Sequence, residues 1–303
     1  MGGPQPEHPT PRSTYAPRPT PHGLRPTPLG RDRLRELALR HSGIALTSVK
    51  EQFAYRFDFF LSLVITLISM TLLVYLWRAV YRNATSLELP FQGLLTYVCL
   101  GQAFSFARIA WAQRRMLFRI NAGLRTGNIV FDLLRPTDYQ AMQFSESLGQ
   151  FVAEMALINL PAYLLAFLVF GISPPASPAA AAAFALSLVG AFLVAFSLDF
   201  LLMILAFWTF SAAGLIYARR AAVDLLAGSI IPLALFPDWL RAVALALPFQ
   251  SLANTPISIY LGRITGAAIW WSVLVQLGWA AVLAVLTRLV WLRALRRLTI
   301  QGG

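Results

Sequence analysis

Carboxylates inside apolar stretches are the side chains of this sequence that could do chemistry. Glu146, Glu154 and Asp199 lie in segments that otherwise carry little charge. Inside a bilayer, such groups can hold a proton, line a path for a solute or form a structural pair between helices. Glu146 and Glu154 alternate with Gln143 and Gln150 at spacings of three, four and four residues. This spacing places the four side chains on one face of a helix.

Structural roles compete with the chemical ones for these residues. The polar face could instead pair with a neighbouring helix, with Arg108 as a candidate partner, and we favour this packing interpretation. Asp199 is expected to be protonated or paired with a cation. Asp224 follows Arg220 by four residues and is expected to pair with it within one helix.

Residue counts exclude most catalytic chemistry. The single cysteine, Cys99, rules out an intrachain disulfide and a cysteine-cluster metal site. All three histidines precede the first apolar run, so no histidine-based metal site is expected in the membrane. The one lysine, Lys50, does not stand in the phosphate-binding G-x-x-x-x-G-K-[ST] pattern, so ATP hydrolysis by that route is excluded. We expect no catalytic residue, metal or cofactor in this chain.

The composition is that of a membrane protein. Hydrophobic residues make up 57% of the 303 residues and charged residues 13%, with a mean hydropathy of +0.63. Soluble domains carry about 25% charged residues. A chain this apolar is expected to use a bilayer as its solvent.

Hydropathy and periodicity predict an all-α integral membrane fold with six transmembrane helices. Residues 1–30 contain 9 prolines and are predicted to form a disordered cytoplasmic arm. Residues 31–53 have one charged and one apolar face and are predicted to form an amphipathic helix at the interface. The predicted spans are, approximately, 57–77, 89–111, 148–170, 179–208, 221–235 and 267–289. Between the last two, 236–265 is predicted as an outer re-entrant helical segment because prolines interrupt its apolar runs.

Cation placement orients the chain. With the amino terminus inside, four of the 25 lysine and arginine residues fall on outer flanks: Arg78, Arg82, Arg241 and Arg263. The positive-inside rule then predicts a multi-pass protein with both termini in the cytoplasm. The net charge of +12 is explained by anionic lipid headgroups, so no nucleic-acid partner is expected.

Three stretches resemble the permease subunits of ABC transporters of the ABC-2 type. They occur in the expected order: Tyr55-Arg56-x-Asp58-Phe59 before the first span, Leu133-Leu134-Arg135-Pro136 after the second, and Phe236-Pro237-x-Trp239-Leu240 with Leu247-Pro248-Phe249 late in the chain. The resemblance covers about residues 31–297, within a transmembrane domain assigned to 31–303, and implies half of the translocation path of an ATP-driven exporter in the inner (plasma) membrane. It also implies a second permease, identical or related, and cytoplasmic ABC ATPase subunits that hold ATP and Mg; membrane lipid is a further expected partner.

The resemblance further implies that the cytoplasmic loop 112–142 carries a coupling helix that docks on the ATPase. The implied coupling residues are Thr126, Gly127, Ile129, Val130, Phe131, Leu133, Leu134 and Arg135. Their apolar members suit a helix at a protein interface. Two other hypotheses stay open: a proton-coupled secondary transporter, or an intramembrane lipid-processing enzyme, either using Glu146, Glu154 or Asp199.

Overall fold

The structure is a computed structural model that describes residues 31–54, 56–83, 90–104, 131, 134, 138–209 and 212–296. All regular elements of this part of the chain are helical. The chain divides into two compact units, Met1–Leu39 and Arg40–Gly303. Of the first unit, the structure describes the opening turns of one helix, and the fold that follows belongs to the second.

Ten α-helices are assigned among the described residues. In chain order they are α1 (Arg31–Ala54), α2 (Arg56–Asn83), α3 (Phe91–Ala103), α4 (Tyr139–Glu154), α5 (Leu160–Phe170), α6 (Pro178–Thr209), α7 (Ala212–Leu226), α8 (Asp238–Ala246), α9 (Asn254–Tyr260) and α10 (Ala267–Leu295). A π-helical turn, Met155–Asn159, joins α4 to α5 without a break. Pro161 is the second residue after the turn and cannot donate a backbone hydrogen bond, which accounts for the irregular pattern of backbone hydrogen bonds there.

Four of these helical stretches are long and apolar enough to cross a membrane: Phe60–Arg82, Tyr139–Phe170, Pro178–Leu205 and Ala267–Leu295. They confirm the helices predicted for the first, third, fourth and sixth spans. For the second predicted span, 89–111, the structure describes α3 and the two residues that flank it, Pro90 and Phe104. The full count of six spans therefore stays a prediction.

Two predicted boundaries were wrong. The third span was predicted to begin at residue 148, but α4 begins at Tyr139, so the last four residues of the predicted loop 112–142 are helical. The fifth span was predicted at 221–235, but α7 ends at Leu226. Gly228 then takes a positive φ of 75°, and Pro232 precedes a short 3-10 turn, Leu233–Leu235. These two residues end the helix inside the stretch that hydropathy predicted as one span.

α6 is the central helix of the second unit. About 67% of its apolar window is buried, against 22–28% for the three other candidate spans. Aromatic side chains pack along it: Phe192 stacks on Phe151 of α4 with ring centroids 4.6 Å apart, and Phe200 meets Trp291 of α10 at 5.8 Å. Through these contacts α6 holds α4 and α10 in place.

Neutral hydrogen bonds join the helix connections at one end of the bundle, which we call the cap end (residues 171–177 and 232–264). The Ser173 amide donates to Thr96 Oγ1 over 2.9 Å, and the Tyr260 hydroxyl donates to the Ser173 carbonyl over 3.0 Å. Since the Tyr260 proton is used in that bond, the Tyr163 hydroxyl must donate to Tyr260 across their 2.9 Å contact. Burial, with the Tyr163 hydrogen bond, raises the pKa of Tyr260, so the phenol stays neutral.

The segment 236–265 is largely helical, and its re-entrant position in the membrane stays a prediction. It contains α8, α9 and the 3-10 turn Pro248–Leu252. Asn254 attaches it to the bundle, because its amide donates to the Ala227 carbonyl over 3.1 Å and its Oδ1 accepts from Tyr97 over 3.2 Å.

Candidate coupling site

The predicted coupling loop presents two apolar side chains to solvent where the structure describes it. Phe131 is 71% exposed on a helical residue, and Leu134 is 73% exposed in a turn. Exposed apolar side chains on a short helix are what a partner groove requires. The other implied coupling residues lie outside the described part of the chain: Thr126, Gly127, Ile129, Val130, Leu133 and Arg135.

Asp138 begins α4 four residues after Leu134 and has two structural roles. Its Oδ1 accepts a hydrogen bond from the Ala141 amide over 3.1 Å, which caps the helix. Its Oδ2 lies 2.6 Å from Nη1 of Arg288 on α10. The two side chains are about 42% and 45% exposed, so this ion pair is in contact with solvent. The carboxylate thus fixes the start of α4 and ties it to the last turns of α10.

The two residues after Asp138 add further contacts to α10. Tyr139 stacks on Trp291 with ring centroids 5.2 Å apart and an interplanar angle of 18°. Gln140 Nε2 donates to Thr287 Oγ1 over 3.3 Å. Three consecutive residues, 138–140, therefore contact one face of α10. We call this set of contacts the α4–α10 clamp, and the end of the bundle that holds it the loop end.

On another side, α4 packs closely against α1. Ser145 Oγ donates to the Ala141 carbonyl over 2.9 Å, so it must accept a proton from His41 Nδ1, which lies 2.8 Å away. One turn further along, a Cβ on Gly149 would collide with the Ala45 carbonyl oxygen. Glycine is therefore required at position 149 for the two backbones to approach.

The polar series predicted in this region lies within one continuous helix. Gln143 is buried, and Glu146, Gln150 and Glu154 are half-buried along α4. Gln143, Glu146 and Glu154 all take part in polar or electrostatic contacts. The predicted common face is consistent with this helix, whereas the predicted partner Arg108 lies outside the described residues.

Asp199 was predicted to be either protonated or paired with a cation, and the structure shows it paired. Its Oδ1 forms an ion pair with Nε of Arg219 on α7, and both side chains are about 5% exposed. Arg220, the next residue, lies 3.5 Å from Asp224, which confirms the pair predicted within that helix. Sequence reasoning missed Arg219 as the partner because it placed this residue outside the fifth span.

The described residues contain no group of three or more His, Cys, Asp or Glu side chains that could hold a metal ion. The loop end instead contains exposed apolar side chains, the start of α4 and the contacts of α4 with α1, α6 and α10. A displacement of this end of α4 can be transmitted to several helices at once.

Comparison with known protein families identifies the chain at the family level. Residues 89–302 match the family described as ABC-2 family transporter protein. This chain belongs to the ABC-2 transporter family. Because the match covers more than half of the chain, the ABC-2 type permease that the sequence resembles is confirmed. No curated protein and no solved structure matches the chain significantly.

Membership in this family explains the apolar helices. The ABC-2 permease is a multi-pass membrane protein, and the matched range runs from the start of the second predicted span to residue 302. It includes the whole predicted loop 112–142, the α4–α10 clamp and the Asp199–Arg219 pair. α1 and α2 precede the matched range.

Proposed function

We propose that this ABC-2 permease is a non-catalytic subunit of an ATP-driven exporter and that its loop between the second and third spans docks on a separate ABC ATPase. The observation that supports this most is the placement of Phe131 and Leu134. Both are largely exposed, and they stand just before a helix start that is tied to α10. A partner that moves this loop would therefore also move the start of α4 and the last turns of α10.

The proposed route of force runs through α4. A displacement of the loop reaches Asp138, and the α4–α10 clamp passes it to the last turns of α10. The His41–Ser145 hydrogen bond passes it to α1. ATP and Mg would be held by the ATPase, and this chain would supply the moving helices.

The chain would form half of the translocation path. Apolar side chains on α2 are exposed at positions one turn apart, among them Leu61, Ile65, Ile68 and Leu72. A second permease, identical or related, would cover part of such a surface, and membrane lipid the rest. The distribution of arginine supports a plasma-membrane orientation with both termini, and hence the loop end, in the cytoplasm.

A proton-coupled transporter or a lipid-processing enzyme receives less support. Either hypothesis requires Glu146, Glu154 or Asp199 to act as a free acid. Asp199 is held by Arg219, and Glu146 and Glu154 also have contacts of their own. A paired charge, as in Asp199, is the expected structural use of an ionisable group in membrane helices.

Docking can be tested by placing a charge on the exposed anchor. Phe131→Asp should abolish co-purification of a co-expressed ABC ATPase, because an apolar anchor at an interface is replaced by an unpaired charge. The permease should still insert at normal levels, since the side chain faces solvent. Leu39→Asp is the matched control, because Leu39 is 65% exposed on α1 and should leave co-purification unchanged. Normal membrane levels with intact ATPase binding in Phe131→Asp would overturn the proposal.

A further inference from the structure

A groove of about 670 Å³ lies between α1 and α4 in the second unit. The helices approach closely at Ala45 and Gly149, which both line the groove, and the His41–Ser145 hydrogen bond joins the helices near one end of it. Leu46 and Val152 also line the groove and are 60% and 51% exposed. It is therefore an open apolar channel between two attached helices, with a volume in the range that holds a small-molecule ligand.

The groove is apolar along almost all of its lining, and its few polar side chains lie towards one end. His41, Ser42 and Ser145 line the first end, with the exposed Arg40 next to it in sequence. Val49 and Val152 line the other end, further into the candidate membrane span Tyr139–Phe170. The apolar lining suits a long apolar tail, and the exposed cation of Arg40, next to the end that holds His41, suits an anionic head.

The length of the groove agrees with such an occupant. Its lining on α4 runs from Ala141 to Val152, which corresponds to about 16 Å of helix. The hydrocarbon of one bilayer leaflet is about 15 Å thick, half of the ~30 Å core. A lipid tail lying along α4 would therefore fill the groove from its polar end to its apolar end.

We propose that the groove between α1 and α4 binds one acyl chain of an anionic phospholipid, whose phosphate lies at the end formed by Arg40 and His41. Arginine and histidine supply donors for a phosphate oxygen, and basic sites at helix ends are where membrane proteins hold anionic headgroups. The tail replaces contacts that an unfilled apolar channel would lack. The lipid would thereby hold α1 against the start of α4, beside the helix start that the proposed function assigns to coupling.

The acyl-chain position can be tested with a photoreactive lipid. The full chain is reconstituted in phosphatidylethanolamine vesicles with phosphatidylglycerol that carries a diazirine on its acyl chain. After irradiation, labelled peptides are identified by mass spectrometry. We expect labelling of 41–49 and 141–152 above that of the apolar surface of α5. Equal labelling of the groove and of α5 would overturn the proposal.

A pair of tryptophan variants separates the groove from general lipid contact. Val152→Trp fills the groove and should lower its labelling to the level of α5. Leu164→Trp is the matched control, because Leu164 on α5 is 50% exposed, close to the 51% of Val152, and does not line the groove. Loss of labelling in both variants, or in neither, would contradict a specific site.

The headgroup and the competing occupant need separate measurements. The wild-type protein should be labelled more by the phosphatidylglycerol probe than by a matched phosphatidylcholine probe, and Arg40→Gln should remove this preference. A wild-type protein without the preference would overturn the anionic assignment.

In a Cys99→Ser background, Val152→Cys should not form a disulfide with a second copy of the chain. Efficient crosslinking there would show that another permease fills the groove and would also overturn the proposal. None of these outcomes depends on ATPase binding, so they test the lipid site apart from the proposed function.

Discussion

The loop end of the bundle has an exposed ion pair where the cap end has buried neutral hydrogen bonds, although an aromatic stack and a neutral hydrogen bond also hold the loop end. At the cap end, buried neutral groups form the bonds, such as the Tyr260 hydroxyl on the Ser173 carbonyl and the Tyr97 hydroxyl on Asn254. At the loop end, the Asp138–Arg288 pair is charged and more than two-fifths exposed. Breaking a buried hydrogen bond costs about 1–3 kcal/mol, whereas an exposed ion pair contributes about 0–1 kcal/mol.

This difference indicates which end can move. Contacts that exchange readily with water can be remade in a second arrangement at little cost in free energy. Buried hydrogen bonds cannot, because each partner would be left unsatisfied. We therefore expect the cap end to stay closed while the loop end changes conformation, and four sets of variants can break or sharpen this comparison.

The largest effect should come from the charged pair that is buried between the two ends. Arg219→Ala leaves Asp199 in an apolar environment without its cation and should lower the free energy of unfolding by about 4 kcal/mol. The double variant Arg219→Met with Asp199→Leu removes both charges and should recover most of that loss. Thermal unfolding in one detergent measures both. If Arg219→Ala is as stable as the wild type, burial does not set the cost of breaking a contact in this protein.

The contact of α1 with α4 should rank next. Gly149→Ala places a Cβ against the Ala45 carbonyl and forces the helices apart, which should cost about 3 kcal/mol. Gly278→Ala is the matched control, because the space beside Gly278 on α10 is open. That substitution should be neutral or stabilising by up to ~1 kcal/mol, since alanine favours a helix over glycine. Equal unfolding temperatures for the two variants would mean that α1 does not pack on Gly149.

How much of this was predictable from the sequence depends on how far each contact reaches. The apolar runs predicted the helices α2, α6 and α10, and the charged and apolar faces of 31–53 predicted α1, because those signals are local. The early start of α4 also left a local signal: Asp138 follows Pro136 and stands directly before the helix, as an N-cap does. Hydropathy alone did not predict the early start of α4, since the first turns of this helix are polar.

The pairings between helices left no such signal. A single sequence contains no sign that Asp199 meets Arg219, that Asp138 meets Arg288, or that Ser145 meets His41. Each pair joins residues that are distant along the chain, and its members come together through the packing of helices around α6. The predicted polar face of Glu146 and Glu154 was correct as a helical face, but the adjacent small residue Gly149, where α1 docks, was overlooked.

At the cap end, removal of one hydroxyl should have a moderate effect. Tyr260→Phe deletes the hydrogen bond to the Ser173 carbonyl and the acceptor of the Tyr163 hydroxyl, and it should cost about 2 kcal/mol. Tyr217→Phe on α7 is the matched control, because Tyr217 is 65% exposed and its hydroxyl can bond to water. A difference in unfolding temperature between the two variants supports a closed cap. If the two unfold together, the cap is not held by these bonds and the contrast between the ends fails.

The smallest effect on stability should come from the loop end, together with the largest effect on coupling. Asp138→Asn removes the charge that meets Arg288 but keeps a good N-cap side chain, so unfolding should change by less than about 1 kcal/mol. Asp138→Ala loses the cap as well and is the reference for that separate loss.

The ATPase should still bind Asp138→Asn, because Phe131 and Leu134 are unchanged. Its turnover, however, should no longer respond to the permease as it does in the wild-type complex, since the loop has lost its charged link to α10. The charge-exchanged variant, Asp138→Arg with Arg288→Asp, should restore that response in part while leaving the cap impaired. If Asp138→Asn keeps the full response, the Asp138–Arg288 pair of the clamp holds the fold without passing force, and the contrast between a fixed cap end and a movable loop end has no functional consequence.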